Sequence, residues 1–482
     1  MTAPWAGSIL MAMVMMTGSQ YRHSLVDGRR SYIDGELVPD PSKHPMLKGS
    51  VDMVAQTYDR FYSDDPDAYH PMYLIPRSRD DLEFRMEAMA RSDMTAGTTS
   101  SCMALVEVAP ELAKLKPEYR ERVYEFIDHC RVNDIRCSEA ITDAKGDRMK
   151  RPSRQFDPDV YVHVVDRQRD GIVISGAKLH ISAAPLCHEQ VVLPTKAMKP
   201  GEEDYAVACA VPSNAEGLHI VNTTNAPRTE DQRHYPLSSR RSCPDGLLIF
   251  DNVFVPNERV FLDGETSHAQ LLAHALGLWE RSSGIAHVGD SADRLVGLAN
   301  LLVDANGASD RKDTRDLLAE MAIYATMCRA GWEAAVKNAT TNADGTISPA
   351  SLYVSATKYY NHELRQRMVD ILHDLAGPLL VNCPTVGDYE NDEIGAEVAE
   401  HLAGSSGWSA GDRMKLLHYL RDITADTYGG WSQVAGPLSG GGQFAQRLVA
   451  LRNYDLMGAT RKARQTVGLD PEPEGGVLHG AF

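Results

Sequence analysis

The stretch "GIVISGAKLHIS", residues 171–182, decides how the chain is read. It follows the turn signal "RDG" (169–171) and is rich in β-branched residues, so it specifies a strand. Strict alternation puts Lys178, His180 and Ser182 on one face, either the solvated side of a sheet or part of a site wall. Comparable runs lie on both sides: "DVYVHVV" (159–165), "QVVLPTKAM" (190–198), "DYAVACAVP" (204–212) and "GLLIFDNVFVP" (246–256). Turn signals such as "KPGEED" (199–204) and "SNAEG" (213–217) separate them. An antiparallel β domain of barrel or sandwich type over 138–262 is the economical account.

Outside that span the apolar spacing changes to that of helices. "PMLKGSVDMVAQTYDRFYSD" (45–64) and "PEYRERVYEFIDHCRVND" (117–134) place apolar residues three and four apart, with Pro at the start. A helical domain over 16–137 follows. Beyond 262 the periodic segments are 266–305, 310–340, 350–376, 392–405 and 410–428, with a final basic helix at 445–466. These make 263–482 a helical-bundle domain, interrupted by the glycines of "VAGPLSGGGQF" (434–444). The fold class is α+β, in the order helices, strands, helices.

The totals narrow the function. The chain has 482 residues, 43% apolar and 24% charged, which is the composition of a folded globular protein of more than one domain. A net charge of −17 repels phosphate backbones and excludes nucleic acid as the main partner; the basic clusters at Arg240 with Arg241 and at Arg461 to Arg464 are short and read as solvated faces. Eight cysteines are scattered without a C-x-x-C, and Cys130 and Cys187, each beside a histidine, lack further ligands at zinc-site spacing. That pattern specifies reduced thiols in a cytoplasm. The apolar run "ILMAMVMM" (9–16) has no Lys or Arg before it and is too short to span a bilayer, so residues 1–15 are read as an extension and no membrane association is expected.

Three stretches could carry chemistry. In "WERSSGIAH" (279–287), Glu280 and His287 are seven apart, two turns along one face of a helix, suited to acid–base work, to metal binding or to a polar helix contact. "EAITDAKGDRMKRPS" (139–153) is a loop of small and charged residues that either approaches a planar or anionic ligand or simply joins two domains. "SGGGQF" (439–444) has the glycine to cradle a pyrophosphate but lacks the P-loop pattern, and a flexible connector reads as well.

With "TDAKGDR" (142–148), "GAKLHIS" (176–182), "AVPSNAEGL" (210–218) and "IFDNVFVPNERVF" (249–261) in order, residues 16–466 resemble the acyl-CoA-dehydrogenase-like flavoproteins. Within these they resemble the branch containing 4-hydroxyphenylacetate 3-hydroxylase and 4-hydroxybutyryl-CoA dehydratase. The resemblance implies FAD as cofactor, its ring bordered by Thr142, Asp143, Arg148, His180 and Ser182. It implies a homotetramer in which Arg281 and the glycines Gly440, Gly441 and Gly442 contact the cofactor's phosphates across subunits. The dehydratase carries an iron–sulfur cluster on three cysteines and a histidine. By counting, those positions are Thr99, Met103, Glu280 and His287 here, so no cluster and no metal are expected, although Cys102 stands beside one position. The remaining chemistry implied is that of a reduced-flavin-dependent monooxygenase of a two-component system. A partner reductase supplies FADH2, and a flavin hydroperoxide hydroxylates an aromatic or acyl substrate. Glu139, Glu280 and His287 become the expected catalytic residues, Glu139 lying where the hydroxylase activates its phenol. Two alternatives stand beside it: a redox-neutral flavin-dependent CoA-ester dehydratase or isomerase lacking the iron–sulfur cluster, and a non-catalytic scaffold of the same fold.

Overall fold

The computed structural model describes residues 15–223, 230–240, 243–405 and 407–469. The expected extension, apart from Met15, and Arg241 lie outside these residues. Helices occupy the first part of the chain, strands run from Cys137 to Asp263, and helices return from Thr266 to Val467. The helices begin where local chemistry favours it. Pro45–Phe61 and Pro117–Val132 have proline in the first turn, and Arg79–Arg91 is closed by a reciprocal capping box between Ser78 and Asp81.

Thr340–Thr341 pairs separately with Ile347–Ser348, and the ten other described strands form two facing sheets. One has the order Glu36–Leu37, Arg30–Ile33, Leu218–Asn222, Asp245–Pro256, Gly171–Ser182, His163–Arg167. The other has Val260–Asp263, Val207–Pro212, Glu189–Val192, Cys137–Ala140. Ile172, Ile174, Leu248 and Phe250 of the first pack against Val192, Val207 and Val211 of the second, so the layer is a sandwich. Two features depart from the expected antiparallel domain. Arg30–Ile33, from the stretch expected to be helical, joins the first sheet parallel to Leu218–Asn222, and Cys137–Ala140 pairs parallel with Glu189–Val192. Both pairings join segments far apart in sequence, which local periodicity does not record.

A second apolar core ties the layers together. Met103, Leu105 and Phe126 of the early helices meet Ala208 and Phe261 of the sheets and Leu272, Leu276 and Trp279 of the helix Thr266–Ala286. The expected continuous segment 266–305 is two helices, Thr266–Ala286 and Val288–Ala305, broken at His287 with φ −109° and ψ 0°. His287 is thus the C-cap of the first helix, and its bridge-region backbone redirects the chain that follows it. The glycine-rich stretch also starts later than expected, because Thr427–Leu438 is helical and the break falls at 439–442. The final basic helix is two, Gln443–Asn453 and Leu456–Val467.

Candidate active site

A cavity of about 1250 Å³ opens where the strand layer meets the helices. Glu139, Ser182 and Cys243 line it from the strand layer, Glu280, Ser283 and His287 from the end of Thr266–Ala286 and the break after it, and Trp431 and Gly436 from Thr427–Leu438. Gly97 and Thr98 close it just before the helix Ser100–Ala113. Glu280 and Ser283 are three apart on one helix and face the same way. Ser283 exchanges a 3.1 Å hydrogen bond with Ser100, which pins the two helices beside the cavity.

The electrostatics of this wall are unusual because its charges are only partly matched. Burial, and the nearby Glu280 carboxylate, push the Glu139 carboxyl well up. Burial also raises Glu280, and the ammonium of Lys358 opposes that rise. Both carboxyls are thus raised and titrate as a pair, in which the Lys358 ammonium favours the charge on Glu280. Lys358 is buried, donates to the Gly436 carbonyl at 2.8 Å and to Ser439 Oγ at 3.1 Å, and is lowered by burial to about 8. A Cβ on Gly284 would stand 2.9 Å from Lys358 Nζ, so only glycine at 284 lets the lysine approach without a shift. Burial also lowers His287, so it is the neutral imidazole at pH 7. Its Nε2, Glu139 Oε2 and Trp431 Nε1 are buried without partners.

The other expected site residues divide into two groups. Ser182 lines the cavity and hydrogen-bonds the Asp245 carboxyl. Arg281 is buried and comes against the glycine turn within one chain: its Nη1 donates to the Gly440 carbonyl at 2.7 Å, and its Nε has no partner. Gly440 and Gly441 have φ of +69° and +90°, and a Cβ on Gly440 would lie 2.8 Å from Arg281 Cγ, so this turn needs glycine for both conformation and closeness. Gly442 caps the helix that follows.

Lys178, expected to share a face with His180 and Ser182, does not. The register shifts between Lys178 and Ile181, and His180 has φ +59°, so a bulge reverses the alternation. Lys178 turns inward to Asp143 at 2.7 Å while His180 is exposed. The Asp143 carboxylate also accepts from the Val162 N–H at 3.0 Å and from Thr195 Oγ1, so it holds its loop in place and presents no free oxygen to a ligand. Thr142 follows suit through its carbonyl, which accepts from Leu179 N–H at 2.6 Å, whereas Arg148 is exposed farther along the loop.

Comparison with known proteins fits this geometry to a family. Family profiles for 4-hydroxyphenylacetate 3-hydroxylase match residues 17–262 (N terminal) and 269–468 (C terminal). The chain belongs to the 4-hydroxyphenylacetate 3-hydroxylase family. Among its relatives is the 4-hydroxybutyryl-CoA dehydratase/vinylacetyl-CoA-Δ-isomerase of Clostridium aminobutyricum, 27% identical, with 95% of this chain and 100% of the relative covered. Another is the 4-hydroxyphenylacetate 3-monooxygenase oxygenase component of Thermus thermophilus, 27% identical, with 86% and 89% covered. A solved oxygenase component of 4-hydroxyphenylacetate 3-monooxygenase complexed with FAD superposes with a TM-score of 0.84 at 26% identity, covering 94% of this chain and 98% of that one.

Within this 4-hydroxyphenylacetate 3-hydroxylase fold, the four positions counted to the dehydratase ligands split apart. Glu280 and His287 line the cavity, but Met103 is fully buried in the apolar core, and Thr99 Oγ1 is engaged with the Ala96 carbonyl at 2.8 Å. Cys102 points away from the cavity into the core beneath. Lys358, Ser283 and Ser439 were not foreseen. A lysine in the mostly apolar segment 350–376 was the available signal for the first, since a buried ammonium needs a carboxylate or a string of acceptors.

Proposed function

We propose that this chain is the oxygenase component of a two-component monooxygenase that receives reduced FAD from a separate reductase and hydroxylates a small aromatic or acyl substrate in the cavity. The observation that carries this reading is the Glu139–Glu280 pair in the cavity wall with the buried ammonium of Lys358 near it, an acid–base set at a place where positions 99 and 103 offer no thiolate. The family's FAD-complexed oxygenase component supports the cofactor. The donor set fits it as well. Arg281 Nε, His287 Nε2, Glu139 Oε2 and Trp431 Nε1 are buried and unmatched, and leaving such groups unpaired costs about 1–3 kcal/mol each until a ligand meets them.

Thr142, His180 and Ser182 would border the flavin ring, and Arg281 with Gly440, Gly441 and Gly442 would hold the phosphates. Reduced FAD supplies the two electrons with which dioxygen is split, one oxygen entering the substrate and the other leaving as water. Glu280, kept ionised by Lys358, takes the proton from a substrate hydroxyl, and Glu139 donates a hydrogen bond that orients it. His287, neutral, accepts or donates one more hydrogen bond. The surrounding helices exclude water. In this reading the chain has no iron–sulfur cluster, because Thr99 and Met103 supply no thiolate at two of the four positions. Exposed apolar residues on the last helices, Phe444, Leu451, Tyr454, Met457 and Val467, support assembly into a homotetramer. No described helix is long and apolar enough to cross a membrane, consistent with a cytoplasmic enzyme.

A second reading, redox-neutral dehydration or isomerisation of a CoA ester, is favoured by the full-length likeness to the clostridial dehydratase. One experiment separates the two: the FAD-loaded protein is reduced without oxygen, then mixed rapidly with oxygenated buffer. Monooxygenase chemistry predicts a transient absorbing between the reduced and oxidised flavin. Slow, direct reoxidation without it would overturn the proposal in favour of the second reading, and iron and sulfide analysis of the same sample tests separately whether a cluster is held.

A further inference from the structure

Away from the cavity, three cysteines from three elements come together. Cys102 lies on Ser100–Ala113, Cys130 on Pro117–Val132, and Cys137 opens the strand Cys137–Ala140. All three are fully buried, and their sulfurs lie within 4.8 Å of one another. The Cys130 and Cys137 sulfurs are 3.5 Å apart, and Tyr73 Oη is 3.6 Å from Cys137 Sγ. Among the described residues this is the one group of His, Cys, Asp or Glu side chains whose atoms could together hold a metal ion. Sequence spacing argued against a zinc site because the trio is assembled by the fold and not by a short motif.

A second observation points the same way. Arg85 is fully buried next to the trio, its Nε and Nη1 have no partner, and its one hydrogen bond is a long 3.4 Å contact to Thr99 Oγ1. Among the described residues no carboxylate pairs with it, and the Cys102 sulfur is the first group whose charge favours its own. The guanidinium lies 5.9 Å from the Trp279 ring centroid, a contact that supplies no counter-charge; a buried guanidinium without an anion costs several kcal/mol, and a thiolate is the anion at hand.

We propose that Cys102, Cys130 and Cys137 hold a structural zinc ion as three thiolates, with the Tyr73 hydroxyl at the fourth position. Binding releases three thiol protons to solvent and leaves a zinc–trithiolate with one net negative charge, which Arg85 neutralises. Tetrahedral zinc with Zn–S bonds of about 2.3 Å sets its sulfurs about 3.8 Å apart, within the range the trio already spans. The ion staples the two early helices to the strand that carries Glu139 two residues after Cys137, and so steadies the cavity from behind.

The test needs neither substrate nor flavin, so it stands or falls separately from the proposed reaction. Full-length protein made in zinc-supplemented medium is dialysed against EDTA and its metal content measured. The expected result is about one zinc per chain, with zinc-edge X-ray absorption giving three sulfur neighbours at about 2.3 Å. Cys130→Ser should lose the zinc, whereas Cys187→Ser, at another buried thiol, should keep it. Wild-type protein that is folded but free of zinc, that holds copper instead, or whose zinc has an oxygen and nitrogen shell would overturn the proposal, whether or not the serine variants fold.

Discussion

Among the described residues two lysines are buried, and the contrast between them separates scaffold from site. Lys178 has every donor used: Asp143 at 2.7 Å, the Ile141 carbonyl at 2.9 Å and the Leu193 carbonyl at 2.8 Å. Lys358 is just as buried, but its hydrogen bonds go to a carbonyl and a hydroxyl, and the carboxylate that balances it, Glu280, belongs to a pair that titrates together on a cavity wall. A fully matched buried charge fixes geometry. One left partly matched beside empty space stores the capacity to move a proton.

The contrast breaks first if Lys178 proves dispensable. Lys178→Met leaves the Asp143 carboxylate buried without its cation, which should cost about 3–5 kcal/mol in denaturant unfolding. Adding Asp143→Asn should return part of that loss, since the remaining group is then neutral. A Lys178→Met protein as stable as the wild type would mean that the pair is not what holds the loop at 142–148. Next in size is the cavity. Glu280→Gln should lower kcat by about 10²–10⁴-fold while shifting the melting temperature little. Glu139→Gln, which replaces a protonated acid by another hydrogen-bond donor, should lower it only about tenfold, the worth of one hydrogen bond. Equal losses at the two positions would refute the assignment of the proton to Glu139.

The order helices, strands, helices was legible because apolar periodicity changes from near four to two at 137 and back after 263, and that signal is local. Glu139, Glu280, His287 and Ser182 were legible through resemblance, and all four line one cavity. What escaped was non-local or a break in regularity. The short strand Arg30–Ile33 exists only because a strand nearly two hundred residues later offers it an edge. The face of Lys178 reversed because one left-handed residue, His180, shifts the register, and no alternation rule anticipates a bulge. The helix break at His287, a bridge-region residue, is equally a break in regularity that apolar periodicity does not mark. Asp143 read as a ligand residue because its loop is polar, yet the carboxylate was already claimed by a lysine thirty-five positions on. The thiol trio and Lys358 each needed the tertiary fold to find their neighbours.

The subtlest expected effect lies in pH. Lys358 gives up its proton at about 8 in the folded chain against 10.5 when exposed. If turnover needs the positive charge of Lys358 near Glu280, kcat should fall as pH rises through about 8, and this limb should vanish in Lys358→Met. Stability should move the other way. Between about 8 and 10.5 the unfolded chain binds this proton and the folded chain does not, so this lysine's contribution to stability increases with pH across that window. The thiols of Cys187 and Cys209, raised by burial to about 12, oppose this above their ordinary value of 9, because there the folded chain is the one that keeps the protons. The comparison that isolates Lys358 is therefore wild type against Lys358→Met: the wild type should gain on the variant in unfolding free energy as pH climbs from 8 to 10.5, while losing turnover. If wild-type turnover and stability relative to the variant declined together, the alkaline limb would report loosening of the fold, and Lys358 would belong with Lys178 as scaffold.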